Sequence, residues 1–256
     1  MPWYIRKVGV KMSIEKAAML FDGWNEAMIW SCLQGHMGNL ITNNSVNPTS
    51  AMIEVGDICF FAGKPNSVLF QSIIGFKLLV PKNKSWETII ESYYGKRAKK
   101  FLRYAIKKEP NVFDQEKLIE YINALDHCYE VKLFNEKIFQ MAQREDWSAD
   151  LCSQFKDYAD YEKRAMGAAI LHEGKLVSGA SPYAVYNGGI EIEIDTKPEY
   201  RQKGLATVCG AKLIVECLKK GVYPSWDAHD LRSVSLAEKL GYHMDHPYVT
   251  YELTDE

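Results

Sequence analysis

Ile190-Glu191-Ile192-Glu193-Ile194-Asp195, followed by Thr196-Lys197-Pro198-Glu199-Tyr200 and then Arg201-Gln202-Lys203-Gly204-Leu205-Ala206, is the stretch that decides the fold. Its first part alternates apolar and acidic side chains with a period of two, the pattern of a strand with one buried face. Asn187-Gly188-Gly189 ahead of it signals a tight turn. Pro198 has no amide hydrogen for a ladder and ends the strand. From Leu205 onward the apolar residues Leu205, Val208, Cys209, Leu213, Val215, Cys217 and Leu218 recur mostly at three and four, which predicts a helix packed on a sheet. Between strand and helix lies a helix start, where unpaired backbone N–H groups and partial positive charge attract anions. Gly204 allows positive φ and a close approach of the backbone to a phosphate. Arg201 and Lys203 add cationic donors at the same place.

This strand, the pattern Arg201-x-x-Gly204-x-Ala206 and the helix together resemble the acyl-CoA-binding segment of the GNAT superfamily of N-acyltransferases. A second match follows. Gly221 to His229 reads as a turn and the next strand, and then come Asp230-x-x-Ser233 and Lys239-Leu240-Gly241-Tyr242. Many members of the superfamily carry Asn, two residues, Ala or Ser, and a short helix ending in Lys-x-Gly-Phe or Lys-x-Gly-Tyr. Asp230 stands where Asn is usual. Gly241 reads as the helix C-cap. The resemblance covers roughly residues 167 to 253, the C-terminal half. It implies an α+β fold of α/β/α sandwich type, with a mixed sheet and flanking helices, and acetyl-CoA as co-substrate. Carried over by position, the cofactor-binding residues are Ile194, Asp195, Thr196, Arg201, Gln202, Lys203, Gly204, Leu205, Ala206, Thr207, Asp230 and Ser233. The first three lie where family members splay two strands apart and expose backbone groups to the pantetheine arm, and a bulge is one way to expose such groups.

The chemistry implied by the resemblance is direct transfer of an acyl group from acetyl-CoA to an amine, small-molecule or protein, in a ternary complex without a covalent nucleophile. Such a reaction needs positioning, a base for the ammonium and polarisation of the carbonyl. The candidate bases are Glu191 and Glu193, which share the strand face opposite Ile190, Ile192 and Ile194. Glu193 lies nearer the splayed end and is preferred, with burial beside Asp195 as the means of raising its pKa. The simpler reading of these carboxylates is a solvated acidic face. His229, at the end of the next strand, is the rival base, or else a capping histidine before Asp230. Family members often place a Tyr on the last short helix to protonate the thiolate. Ala237 occupies that position, and Tyr242 and Tyr200 are near in sequence but not equivalent. Asp230 and Ala237 leave room for a second reading, a catalytically weak acyl-CoA-binding or regulatory protein.

The chain has 256 residues, 47% hydrophobic and 25% charged, with a net charge of −2. That is an ordinary soluble composition with no electrostatic case for nucleic acid or an anionic membrane. Arg6, Lys7 and Lys11 are not followed by an apolar run long enough for a signal peptide, and Asp22, Asn25 and Glu26 interrupt the apolar stretch from Ala17 to Leu33. With six scattered cysteines and no C-x-x-C pair, reduced thiols and a cytoplasmic location are expected. Cys32-x-x-x-His36 and His243-x-x-His246 lack a second half, so no metal site is expected. A homodimer is left open. The N-terminal half reads as strands over 38 to 80, a helix capped at Ser85 and closed by Gly95, a strand near 101 to 106 and a helix from Asn111 or Asp114 to Leu125. Its strand, helix, strand order echoes the later unit without the glycine loop. It is either a decayed copy of the same fold or an unrelated α+β domain. The expected domains are residues 1–130 and 131–256. Glu136 to Asp146, and Ser148 or Asp150 to about Arg164, read as two helices on the acceptor side.

Overall fold

The computed structural model describes residues 14–254. The expectation drawn from Arg6, Lys7 and Lys11 lies outside the described residues. The described residues fall into two compact units, 14–102 with 248–254, and 103–247.

In the first unit residues 14–19 are helical, Gly23 is left-handed at φ +74°, and helix α1 spans Ala27–Leu33. Strands β1 (Asn39–Thr42), β2 (Ser50–Val55) and β3 (Ile58–Gly63) pair antiparallel in order. β4 (Lys77–Pro81) then joins β3 in parallel, from Ile58↔Leu78 to Phe61↔Pro81. Helix α2 (Lys84–Tyr94) follows and buries Trp86 and Ile90 against Phe61, Phe70 and Leu79. Its N-cap is Asn83, whose side chain accepts from the Trp86 amide, not Ser85 as the sequence suggested. Both residue types cap well, and Asn83 is the one with extended backbone at the helix entry. The chain's last strand, Met244–Leu253, pairs antiparallel with β4 through Tyr251↔Leu79.

The second unit begins within β5 (Ala98–Ile106) and continues through helix α3 (Gln115–Asn123), which is capped by Asp114. Its sheet has the order β10-β9-β8-β7-β6, from β6 (Tyr129–Leu133), β7 (Ala168–His172), β8 (Lys175–Tyr186), β9 (Gly189–Thr196) and β10 (Tyr223–Ser225). Neighbours are antiparallel except β9 and β10. Helices α4 (Glu136–Ala142) and α5 (Tyr158–Arg164) precede β7, and α6 (Leu205–Lys219) joins β9 to β10. The two-residue β11 (Asp227–Ala228) pairs with β5, and α7 (Leu231–Lys239) leads to the last strand, β12. The parallel pair β9 and β10 needs a crossover, and α6 supplies it.

Three expectations change. The division falls at residue 102 and again at 247, not near 130. The last strand is added to the first unit by pairing over a long sequence distance, which no local pattern announces. The expected second helix from residue 148 or 150 is instead a 3₁₀ turn (Asp146–Leu151) and the short α5. Leu151 and Phe155 are buried where an unbroken helix would have turned, with Leu151 packed against Gly179. Third, no bulge occurs in β9. The irregularity is in β8, where Tyr183 is extra between Pro182↔Ile192 and Ala184↔Glu191.

Candidate active site

Strand β9 is the centre of the site. β10 pairs with it only from Tyr223↔Gly189 to Ser225↔Glu191. Beyond Glu191 the edge of residues 192–196 on that side has no strand partner among the described residues, so backbone N–H and C=O groups there face an opening between the strands. Ile194, Asp195 and Thr196, where the sequence expected exposed backbone groups, all lie beyond the last β10 pair, but the Asp195 carbonyl is turned to the β8 side. The Ile194 side chain turns toward α6, where it approaches Gly210. The Ser178 hydroxyl donates to the Asp195 carbonyl at 3.1 Å and lies 2.7 Å from the Thr196 hydroxyl. Arg201 Nε donates to the Thr196 carbonyl at 3.2 Å, which ties the loop to the strand end.

After that end the backbone is left-handed at Gln202 (φ 62°) and again at Gly204 (φ 78°). Alternation of this kind turns successive amides toward one concavity. Gly204 is the N-cap of α6 and supplies no side-chain cap, so the amides of the first turn are left for another acceptor. A Cβ at Gly204 would project into open space. A cleft of about 370 Å³ lies over these amides, within the size range of small-molecule sites. Thr196 lines it from the strand, Tyr200, Arg201, Gln202 and Gly204 from the loop, Leu205, Ala206 and Thr207 from α6, and Arg232 and Leu236 from α7.

Lys203 is not part of this lining; its ammonium lies 4.7 Å from the centre of the Tyr200 ring. Tyr200 in turn places its hydroxyl 3.0 Å from His172 Nδ1. Asp230 and Ser233, expected at the cofactor, serve α7. Asp230 Oδ1 accepts from the amides of Arg232 and Ser233, each at 2.9 Å. Ser233 Oγ accepts from Trp226 Nε1 at 3.0 Å. Arg232 and Leu236 were missed by sequence reasoning. Their only signal was the spacing of three and four that puts residues 232 and 236 on one helix face.

The carboxylates of β9 differ in surroundings. Glu191 is only 3% exposed and sits on the part of β9 still covered by β10, which corrects the reading of Glu191 as one of a solvated pair. Glu193 is half-buried and lies past the last β10 pair. Asp195, half-buried, is next on the same face: burial pushes it up to about 6, the charge of Asp150 adds to this, and Arg201 opposes it. His229 is exposed, and Arg103 Nη1 lies 3.2 Å from its Nδ1. A guanidinium can only donate, so this nitrogen acts as an acceptor. Arg103 is itself held by Asp227 at 2.5 Å. Tyr242 is buried; its hydroxyl donates to the Pro224 carbonyl at 2.7 Å and burial pushes its pKa well up. It is a core residue. Ala237 is fully buried. Among the described residues no group of three or more His, Cys, Asp or Glu is placed to hold a metal ion, and no helix is long and apolar enough to cross a membrane.

Comparison with known proteins agrees with this geometry. The GNAT acetyltransferase family matches residues 18–251. The chain is similar to a GCN5-related N-acetyltransferase-like protein from Streptococcus suis 89/1591, with 41% identity, 96% of this chain and 100% of that one covered, and a TM-score of 0.93. It is 23% identical over 175 residues to the uncharacterized N-acetyltransferase YdfB of Bacillus subtilis (strain 168), covering 68% of this chain and 64% of that relative's length. A tandem GNAT protein from the clavulanic acid biosynthesis pathway has the same fold at 9% identity and a TM-score of 0.60, over 98% of this chain and 96% of that one. The match from residue 18 corrects two expectations, that the resemblance stops at the C-terminal half and that a decayed or unrelated domain precedes it. The N-terminal half has no glycine loop, so only its strand, helix, strand order hinted that it is part of the same family fold. From residue 18 to residue 251 the chain belongs to the GNAT acetyltransferase family.

Proposed function

We propose that this chain is an acetyl-CoA-dependent N-acetyltransferase that acylates an amine by direct attack within a ternary complex. The observation that carries the reading is the cleft over uncapped amides at the start of α6, contiguous with the free edge of β9. The residues fit the group: Gly204 leaves open space where any other residue would place a Cβ, and its left-handed backbone favours glycine. The amides from Gln202 to Thr207 would hold the pyrophosphate of acetyl-CoA. Those N–H and C=O groups of residues 192–196 that point away from β8 would hold the pantetheine arm. When bound, the co-substrate supplies an activated acetyl thioester. What remains for the chain is to orient the amine and remove its proton.

We assign that proton to Glu193. The thioester end of the co-substrate is the end remote from the phosphates, so it belongs deep in the strand opening. Glu193 lies two residues deeper than Asp195, roughly 6.6 Å along a strand. His229 is less suited, because its Nδ1 already accepts from Arg103. The leaving thiolate of CoA resembles that of cysteine, with a pKa of about 8.5, and water can protonate it near neutral pH. No tyrosine is required at Ala237.

The test is calorimetric. Gly204→Glu puts bulk and negative charge against the phosphates and is expected to abolish binding of CoA while circular dichroism stays that of the wild type. Unchanged CoA affinity in the folded variant would overturn the reading.

A further inference from the structure

We propose that Arg232 grips the 3′-phosphate of coenzyme A, and that Asp230 is a positioning residue for it; the inference rests on the cleft being the coenzyme A site. Coenzyme A carries two separate anionic groups, a pyrophosphate and a phosphomonoester on its ribose. The cleft has two kinds of donor to match. The amides at the start of α6 lie on the floor, where Leu205 and Thr207 are buried. Arg232 comes from α7 on the cleft lining, with its side chain 91% exposed. It is therefore a rim group, placed for the part of a ligand that stays near solvent. The other arginine of the lining, Arg201, is engaged through Nε with the Thr196 carbonyl.

The geometry of Arg232 is specific. Its Nε and Nη2 donate to Asp230 Oδ2 at 2.8 and 2.5 Å. A guanidinium has five N–H donors in a planar fork. Asp230 takes one side of that fork, which leaves the end formed by Nη1 and Nη2 able to meet two phosphate oxygens in parallel. Asp230 does two tasks with its two oxygens. Oδ1 caps α7 through the amides of Arg232 and Ser233, and Oδ2 holds the guanidinium. Asparagine has a single acceptor oxygen, which the cap would occupy, and its NH₂ would face the guanidinium as a second donor.

The experiment measures affinity for CoA and for 3′-dephospho-CoA by calorimetry, in wild type, Arg232→Ala, Arg232→Lys and Asp230→Asn. Wild type is expected to prefer CoA by roughly tenfold or more, the size of one charge-assisted pair near the surface. Arg232→Ala should bring CoA down to the dephospho-CoA level and leave dephospho-CoA within about twofold, since only the pair to the missing phosphate is lost. Arg232→Lys should keep part of the preference. Asp230→Asn keeps the cap but frees the guanidinium, so it should lower the preference without lowering the melting temperature. Equal weakening of both ligands in Arg232→Ala would place the arginine on the pyrophosphate and overturn the inference. Wild-type binding without preference between the ligands would also overturn it and leave the reading of the cleft intact. Failure of wild type to bind either would overturn both.

Discussion

Glu193, Asp195 and His229 offer three ways to remove a proton from an amine, and their surroundings separate them. Burial and the charge of Asp150 push Asp195 up to about 6, yet it lies at the loop end of β9, where we place the phosphates. His229 Nδ1 already accepts from Arg103. With Glu193 as base, kcat/KM with a working amine rises with pH through one ionisation and then levels off. Glu193→Gln is expected to lower the rate by about 10²-fold or more, with CoA affinity little changed, while His229→Gln stays close to wild type. If Asp195→Asn, and not Glu193→Gln, removes an ionisation near 6, the assignment moves to Asp195. Tyr242→Phe should leave the profile unchanged, because its hydroxyl is buried on Pro224. At this scale the left-handed glycine before α6 was legible, because Gly204 stands between a strand pattern and a helix pattern. Arg232 was not, because a cleft between a loop and a later helix has no signature in either segment.

Among the elements, β9 and α6 were legible almost to the residue. Period two and the three-four repeat are strong where each element buries one face, and the structure has β9 at Gly189–Thr196 and α6 at Leu205–Lys219. Residues 136 to 164 were legible only in outline. There the packing of Leu151 and Phe155, not helical spacing, sets where the chain turns. Helix α7 illustrates what a cap contributes. Asp230→Ala leaves the amides of Arg232 and Ser233 without their acceptor and should cost about 1 kcal/mol. Asp230→Asn retains that acceptor and should cost no more than about 0.5 kcal/mol. Urea unfolding of the two variants measures the difference; equal losses would mean that the ion pair with Arg232, not the cap, stabilises this helix. The Asp230 carboxyl is pushed up by burial, but the hydrogen bonds from Arg232 and Ser233 outweigh this and hold it below the usual carboxylate range. The wild-type advantage over Asp230→Ala should therefore persist at neutral pH and fade as acid protonates this group.

For the molecule as a whole, one family fold spans residues 18–251, and the loop we propose for the phosphates lies in its C-terminal half. In the N-terminal unit the helix that follows a parallel strand begins at Asn83, whose side chain already accepts from the Trp86 amide. That helix start has no glycine and keeps a cap of its own. Calorimetric titration of the wild type is therefore expected to give one CoA per chain, and a stoichiometry of two would show that the N-terminal unit binds as well. The fold class and the C-terminal motifs could be read from the sequence. The division at residues 102 and 247 could not, because it depends on where β12 pairs and on nothing in its own composition.

That pairing has a consequence for the order in which the protein is made. β4 receives β12 as its neighbour through Tyr251↔Leu79, and Tyr251 also reaches Glu91, 160 residues away in sequence. Closing a loop of that length costs about 4–5 kcal/mol of chain entropy. On the ribosome the N-terminal unit emerges first, but it cannot complete its sheet until residues 248–253 have been translated. Until then the Leu78-Leu79-Val80 segment of β4 offers an open edge to any passing strand. The β4 edge is protected only after the last strand has been synthesised, which makes translation speed and chaperone cover at that stage a determinant of yield.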